Sequence, residues 1–497
     1  MAHIPLSVIA KQPLLQDLNL RSRGKVRDSY NLPDYPNNML VVTSDRCSIF
    51  DFVLSTLVPI KGEILTALNH FWTKNVIDEI CKTDFVACGA EIDRYLPENL
   101  RNNVELQKRA TVVKIVPEPD VEDIVRIILT GSGFTSYQKT QSICGHKLPA
   151  GLTNGALLPY PIYTPTTKAK VGHDEHVTAD SVAKKYGHRR ERLSLQVALA
   201  IASYASKRKI IMADTKFEFS LDDGTFVLAD EKGTPDSSRF VDKTAWIKAL
   251  EGDQFPPSLD KQYVREWGKE FGIDKRNPEV DRDTAYVDCL EVPAFVVNMT
   301  TRIYRYIFWR LTGLRIEVYQ KSNMGVDVKP HWRKIEIIAG SESDLLQIEH
   351  GLNYFRHSRA DVSVSVVSCH RNPKTLREFA LDKLVTADIV IAGAGMAAAL
   401  PGIVKSELCF LGRFDIPVIG VALRGKTEKE NQAAVLSIEC LPGQPVELDP
   451  KGNAYFGEEG FVDACLVALT HEFLPRAIEQ KPAKIGFKQF LLKDACP

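Results

Sequence analysis

Lys216, Glu218 and Asp230 are a lysine and two carboxylates within fifteen residues, the types needed to hold a divalent cation against phosphate groups. Magnesium takes one or two carboxylates and completes its shell with phosphate and water oxygens. The surrounding stretch runs Asp214-Thr-Lys-Phe-Glu-Phe-Ser-Leu-Asp-Asp-Gly-Thr-Phe-Val-Leu-Ala-Asp-Glu. Apolar residues alternate on both sides of Asp222-Asp223-Gly224, which predicts a β-hairpin. Its register decides what it can do. A two-residue loop, Asp223-Gly224, pairs Phe217 with Asp230 and leaves Glu218 and Asp230 on opposite faces. A three-residue loop sets Lys216 against Asp230 and Glu218 against Leu228, so all three charged groups share one face and Phe217, Phe219, Val227 and Ala229 take the other. Glycine as the last loop residue favours the three-residue form, and that register is the expectation. Spacing alone favours an ordinary hairpin with a charged solvent face.

The run Asp214–Phe219, the pair Asp230-Glu231 and Thr234-Pro-Asp-Ser-Ser-Arg-Phe resemble the SAICAR synthetase (phosphoribosylaminoimidazole-succinocarboxamide synthase) family of purine synthesis. The resemblance implies an α+β, ATP-grasp-like domain in which Glu218 and Asp230 hold Mg2+ and ATP. It also implies that Asp214, Lys216 and Arg239 act at the same site on carboxyaminoimidazole ribonucleotide (CAIR) and L-aspartate.

Upstream, Arg21-Ser-Arg-Gly-Lys-Val-Arg-Asp precedes a strand-like run, Met39-Leu-Val-Val-Thr. A Gly-Lys turn between strands can cradle phosphates, and the resemblance makes Gly24, Lys25 and Arg27 nucleotide-binding. Asp45-Arg46 reads as a local turn with its own ion pair or as a substrate contact. Leu68, Phe71, Trp72 and Ile77 have helical spacing and read as core. Asp123-Ile-Val-Arg-Ile-Ile-Leu-Thr-Gly-Ser matches a family stretch that holds the ribonucleotide, which implies that Arg126 and Ser132 contact substrate; Ile127 and Ile128 stand where the family has Gly-Tyr. Arg126 can clamp a phosphate or carboxylate with its planar fork. Tyr163-Thr-Pro-Thr-Thr-Lys-Ala-Lys-Val-Gly-His-Asp-Glu-His reads as a substrate loop rather than a metal shell, consecutive ligands being poorly directed for zinc. Helices are predicted near Arg192–Lys207 and Thr300–Thr312. The resemblance covers residues 1 to 316, and 317–332 reads as a linker.

From residue 333 to 478 short apolar strands alternate with helical segments, predicting an α/β, three-layer, doubly wound (flavodoxin-like) domain; a tail, 479–497, follows. Polar or glycine-rich motifs fall at three consecutive strand ends, where ligands bind in such sheets: Gly340-Ser-Glu-Ser-Asp, Ser368-Cys-His-Arg-Asn-Pro and Gly393-Ala-Gly-Met-Ala-Ala-Ala-Leu-Pro-Gly. Singly they read as a helix N-cap, an interior histidine and a tight turn. Together they resemble the aminoimidazole ribonucleotide (AIR) carboxylase and mutase family. That implies nucleotide binding by Ser341, Ser343, Asp344, Ser368, Arg371, Gly393 and Gly395, with His370 near the reacting base and AIR with bicarbonate or CO2 as substrates. It also implies a homo-oligomer, an octamer in that family. Ala399 replaces the histidine of the bacterial mutases, and Arg371 the lysine usual in animal-type carboxylases.

The chain has 497 residues, too many for one core. Its formal net charge of zero gives no attraction to nucleic acid or membranes. The ten cysteines lack any Cys-x-x-Cys pair and read as reduced thiols. No leader-like or bilayer-length apolar run is seen, so the expected address is cytoplasmic. Three readings stay open: a bifunctional purine enzyme, a monofunctional synthetase with an assembly or nucleotide-sensing module, and an unrelated small-molecule kinase.

Overall fold

Two units divide the chain, Met1–Pro330 and His331–Pro497. The structure, a computed structural model, describes residues 3–5, 8, 15, 18–168, 175–251, 255–328, 332–356, 358 and 360–474. His173 and Asp174 of the expected substrate loop, and the expected tail 479–497, lie outside the described residues.

The first unit opens with an antiparallel sheet. Strands β1 (Leu20–Arg23), β2 (Arg27–Asn31), β3 (Asn38–Thr43), β4 (Phe85–Cys88) and β5 (Ala110–Lys114) stand in the order β1-β2-β3-β5-β4. Alternation sends Tyr30, Leu40, Ala87 and Val112 into a shared core with Leu96 and Leu106. Between β1 and β2 the chain reverses tightly, the Gly24 N–H donating to the Arg27 carbonyl at 2.7 Å. Helix α1 (Lys61–Trp72) runs on into a π-helical turn, Thr73–Ile77, and Leu68, Phe71, Trp72 and Ile77 are buried as their spacing predicts.

The larger sheet contains β6 (Val121–Ile128), β7 (Leu157–Tyr163), β8 (Ile210–Asp222), β9 (Thr225–Ala229) and β10 (Ser238–Asp242) in the order β7-β6-β8-β9, with β10 also on β8. The first part of β8 pairs with β10 on one side and, from Asp214, with β6 on the other; its end, from Glu218, pairs with β9. Helix α2 (Gly131–Thr140) follows β6, and α3 (Arg189–Lys207), three residues longer than expected, packs against β8. Between α3 and β6 lies a fully buried pair: Arg190 donates to both oxygens of Asp123 at 2.8 and 2.9 Å, and the Tyr163 hydroxyl adds a bond of 2.6 Å. Removing one partner of such a pair costs about 3–5 kcal/mol, so it fixes the helix on the sheet.

The hairpin corrects the expected register. Asp223 and Gly224 both have positive φ, 46° and 75°, the backbone of a two-residue loop. Glu218 therefore pairs with Ala229 and Phe219 with Leu228, not Glu218 with Leu228 or Lys216 with Asp230. Two adjacent left-handed residues match the twist of the strands they join, which the longer loop does less well.

Helices α4 (Ala294–Thr312) and α5 (Ile316–Asn323) complete the first unit. Most of α5 falls within the expected linker, yet Ile316, Tyr319 and Gln320 are buried. Gln320 donates to Glu63 at 2.9 Å, and the Tyr319 hydroxyl bonds His70 at 2.9 Å. The polar composition of 317–332 masked a helical i, i+3, i+4 face.

In the second unit β11 (Arg333–Ala339), β12 (Ala360–Val366), β13 (Ile389–Ala394), β14 (Val418–Ala422) and β15 (Tyr455–Phe456) form one parallel sheet in the order β12-β11-β13-β14-β15. Alternate strand residues feed two cores. Ile335, Ile337, Ile389 and Ile391 pack with α6 (Leu345–Arg356) on one face. Ile338, Val390 and Ala392 pack with α7 (Pro373–Asp382), α8 (Leu400–Phe410) and α9 (Glu428–Glu439) on the other. Helix α10 (Gly457–Thr470) joins the first face. Three layers result. Among the described residues no helix is long and apolar enough to cross a membrane.

Candidate functional site

Asp214 on β8 sits directly between Arg126 on β6 and Arg239 on β10. Arg126 donates to Asp214 at 2.7 Å, to Ser132 at 3.1 Å and to Thr164 at 3.1 Å, while Arg239 lies 3.4 Å from the other Asp214 oxygen. Arg126 is only 2 % exposed; burial lowers the pKa of its guanidinium and Arg239 adds to this, Asp214 opposing both. The Arg239 guanidinium rests on Gly131, at φ +59°, where a Cβ would come within 2.3 Å of it. Glycine is required here on both counts. Ile127 and Ile128 do not disturb the arrangement, because Arg126 projects from a continuous strand.

Lys216 and Glu218 follow Asp214 at intervals of two, on its face of the strand. Lys216 pairs with Glu122 at 2.5 Å, and Lys168 with Glu218 at 2.7 Å. Asp230, just past the end of β9, has φ +58°, so strict alternation no longer governs its side chain. It forms an ion pair with Arg27, which also pairs with Glu231. Burial draws the Arg27 guanidinium down to about 10, against the opposing influence of Asp236, Glu218 and Asp84. Asp230 thus meets Arg27, and the charge of Glu218 acts on the same guanidinium, despite the two-residue register. Lys25 is half exposed and pairs with Asp51 at 2.5 Å.

Several residues that hold this arrangement had another role, or none, in the sequence reading. Arg46 is 1 % exposed and grips both oxygens of Asp28, at 2.7 and 3.2 Å, along with the carbonyls of Gly24 and Lys25. It is not the self-contained partner of Asp45; it braces the glycine turn. Asp84 accepts the Asp230 N–H at 3.2 Å and pairs with buried Lys232 at 2.8 Å, holding the left-handed residue. Glu122 was legible from its spacing of four from Arg126 along one strand face, and Lys168 lies in the stretch read as a substrate loop; Asp84 and Lys232 had no comparable signal. Deeper in the same unit, burial would raise the Asp236 carboxyl, but Lys261 and Lys61 outweigh it and hold the group well below the usual carboxylate range.

Among the described residues, no three His, Cys, Asp or Glu side chains converge as an all-protein metal cage. The oxygen donors of Glu218 and Asp230 fit magnesium, whose remaining positions water and phosphate would fill.

In the second unit the parallel strands bring the three motifs to one sheet edge. Ser341 and Asp344 form a capping box, the Ser341 N–H donating to Asp344 at 2.9 Å. Ser341 and Ser343 hydroxyls are 2.7 Å apart. Burial raises the Asp344 carboxyl, with Ser341 and Arg371 acting against the rise. Arg371 and His370 are exposed, and the Arg371 N–H donates to the Ser368 hydroxyl at 3.3 Å. The Gly340 N–H donates to the Gly393 carbonyl at 3.0 Å, and a Cβ on Gly395 would meet the Leu423 carbonyl at 3.4 Å. Gly393 and Gly395 of the third motif stand where strand ends crowd. Met396 and Ala397 are left-handed, φ 42° and 58°, and Ala399 caps α8.

Residues 20–279 match the family model described as SAICAR synthetase, and residues 334–453 the one described as AIR carboxylase. The phosphoribosylaminoimidazole-succinocarboxamide synthase of Thioalkalivibrio sulfidiphilus is 42% identical over 315 residues, covering 61% of this chain and 99% of that protein. Its namesake from Neisseria meningitidis serogroup A is 41% identical over 296 residues, covering 58% and 96%. Among solved structures, the SAICAR synthase of Saccharomyces cerevisiae complexed with SAICAR is similar at TM-score 0.53 and 30% identity, covering 61% of this chain and 98% of that one.

Proposed function

Because the chain belongs to the SAICAR synthetase family and carries an AIR carboxylase-like domain behind it, we propose that it performs two consecutive steps of purine synthesis. The first unit, read as ATP-grasp-like, joins CAIR to L-aspartate with ATP; the second, read as flavodoxin-like from its 2-1-3-4-5 parallel strand order, makes CAIR from AIR. The observation that carries the reading is the cross-strand row Arg239–Asp214–Arg126, with Lys216 and Glu218 continuing along β8 toward Arg27 and Asp230.

In the first unit the CAIR carboxylate takes the terminal phosphoryl group of ATP, and the aspartate amine then attacks the acyl carbon and expels phosphate. Arg126, Arg239, Ser132 and the start of α2 suit an anionic substrate. Gly24, Lys25 and Arg27 offer a turn and two cations to the nucleotide. Glu218 and Asp230 would hold magnesium, which supplies charge neutralisation on the phosphates. Lys216, steadied by Glu122, suits a position beside the transferred group, where fixed charge lowers the barrier without reorganisation. The partners are small molecules, and assembly into a closed homo-oligomer belongs to the same reading.

In the second unit carbon 4 of the imidazole must lose a proton as it gains the carboxyl group. Ala399 has none to exchange, so the role falls to His370, in the manner of the CO2-using carboxylases. Ala399 is also the observation that favours a second reading, a non-catalytic C-terminal module. Supplying CAIR, aspartate and ATP tests the first unit alone; supplying AIR and CO2 with His370→Asn as the control tests the second. SAICAR from CAIR but no CAIR from AIR would favour the second reading.

A further inference from the structure

The carboxylates at the proposed nucleotide site already have partners from the chain. Glu218 is held by Lys168 at 2.7 Å, Glu122 by Lys216 at 2.5 Å, and the Asp230 and Glu231 carboxylates, among the described residues, by Arg27. Glu218, Asp236 and Asp84 also act on Arg27. Of these, Asp84 has Lys232 at 2.8 Å, which also donates to the Asp230 carbonyl at 3.0 Å, and Asp236 has Lys61 at 2.7 Å and Lys261 at 3.7 Å. Arg27 is the cation paired with the Asp230 and Glu231 side chains in a cluster where a divalent ion is proposed to sit.

We propose that Arg27 and Lys168 occupy, in the ligand-free protein, the electrostatic place of the divalent cation, and that they turn from carboxylate to phosphate as metal and nucleotide enter together. The inference rests on the assignment of Glu218 and Asp230 to the metal. Its logic is one of exchange. Metal alone would displace Lys168 from Glu218 and Arg27 from Asp230, leaving Lys168 unpaired and Arg27 with Glu231 only, both beside a double positive charge. Nucleotide alone would find Arg27 and Lys168 engaged and its phosphates facing Glu218, Asp230 and Glu231. Arriving together, metal takes the carboxylates and phosphate takes the released cations. Each ligand then raises the affinity for the other by the same factor. Arg27 suits the exchange because β2 starts at Arg27, directly after the Gly24 turn, while Arg46 holds that turn through its carbonyls and leaves the Arg27 side chain free to change partner. Lys168 reaches Glu218 from the stretch just after the Thr166–Thr167 bridge to β6.

The test is Mn2+ binding by the full chain, followed by electron paramagnetic resonance, without nucleotide and with the non-hydrolysable β,γ-methylene analogue of ATP. Wild type should bind Mn2+ weakly alone and much more tightly with the analogue. Arg27→Gln, which strips Asp230 and Glu231 of their cation, should bind Mn2+ alone at least about tenfold more tightly than wild type and show a smaller gain from the analogue. Arg27→Lys should stay near wild type. Lys168→Gln should shift in the same direction as Arg27→Gln and provides the same reading should Arg27→Gln not fold. Mn2+ affinities without nucleotide that agree within twofold among wild type, Arg27→Gln and Lys168→Gln would overturn the exchange. Unaltered binding of Mn2+ with the analogue in Glu218→Gln/Asp230→Asn would instead overturn the metal assignment on which it rests.

Discussion

The two units place their chemistry on opposite kinds of scaffold. In the first, the charged groups stand on neighbouring strands, so their spacing is set by β register: Arg239, Asp214 and Arg126 form one cross-strand row, mostly buried. In the second, the motifs lie on loops at the ends of parallel strands, with His370 and Arg371 exposed and the start of α6 closed by its own Ser341–Asp344 box. In the first unit the charged groups are paired with one another. In the second the backbone turns are in place and the side chains of His370 and Arg371 are open to solvent. The contrast predicts that substitutions in the first unit act through charge balance, and those in the second through the identity of one group.

The largest effect is expected from Glu218→Gln and Asp230→Asn. Each removes a carboxylate from the proposed metal pair and should lower SAICAR formation on the order of 10²–10³-fold, the range seen when one fixed charge-stabilising group is lost, and should weaken ATP binding in the presence of Mg2+. Steady-state kinetics with supplied CAIR check this. Next is His370→Asn, expected to reduce carboxylation of AIR by about 10²-fold or more, as for a lost acid–base group, with SAICAR synthesis from supplied CAIR unchanged. Equal loss in both reactions would break the separation between the units.

Much of this was legible in the sequence, and the misses are instructive. Alternation located the hairpin but not its apolar face: Phe219 pairs with Leu228, so Leu228, and not the expected Val227 and Ala229, shares the face of Phe217 and Phe219. It could not choose the loop, because Asp-Asp-Gly offers glycine to either a two- or a three-residue turn. Strand parity does not set the direction of Asp230 for a different reason: Asp230 leaves the strand with φ +58°, and Asp84, distant in sequence, holds it there together with Lys232, two residues on. Long-range bracing of that kind has no local signature. Arg46 shows the same limit, since the nearest carboxylate in sequence, Asp45, is not its partner; Asp45 accepts from the Gly62 N–H at 2.9 Å. In the second unit the strands and motifs followed directly from pattern, because parallel strands buried on both faces read as apolar runs.

Smaller effects sharpen the comparison. Gly131→Ala introduces a Cβ against Arg239 at a left-handed position, a strain of about 1–2 kcal/mol. It should raise the KM for CAIR or aspartate about tenfold, leaving the KM for ATP unchanged. A uniform loss of kcat with unaltered KM values would detach Arg239 from substrate binding. The smallest effect is on stability. Burial lowers His70 from its ordinary 6.5 to about 4, so the unfolded chain takes up a proton between those values and the folded chain does not. The stabilisation is complete above pH 6.5 and is lost as pH falls toward 4, up to about 3 kcal/mol. His70→Gln should flatten the acid limb of the Tm profile by about 5 °C across that window, while the profile above pH 7 keeps its shape.

The pairing of two consecutive reactions on one chain is tested most directly by supplying the purified protein with AIR, labelled bicarbonate, ATP, Mg2+ and L-aspartate, at a bicarbonate concentration where uncatalysed carboxylation is negligible. The account predicts labelled SAICAR, formed with one ADP per molecule, and no SAICAR from His370→Asn unless CAIR is supplied, in which case the SAICAR is unlabelled. Unlabelled reactants and no ADP, from a protein that still converts supplied CAIR to SAICAR, would contradict it.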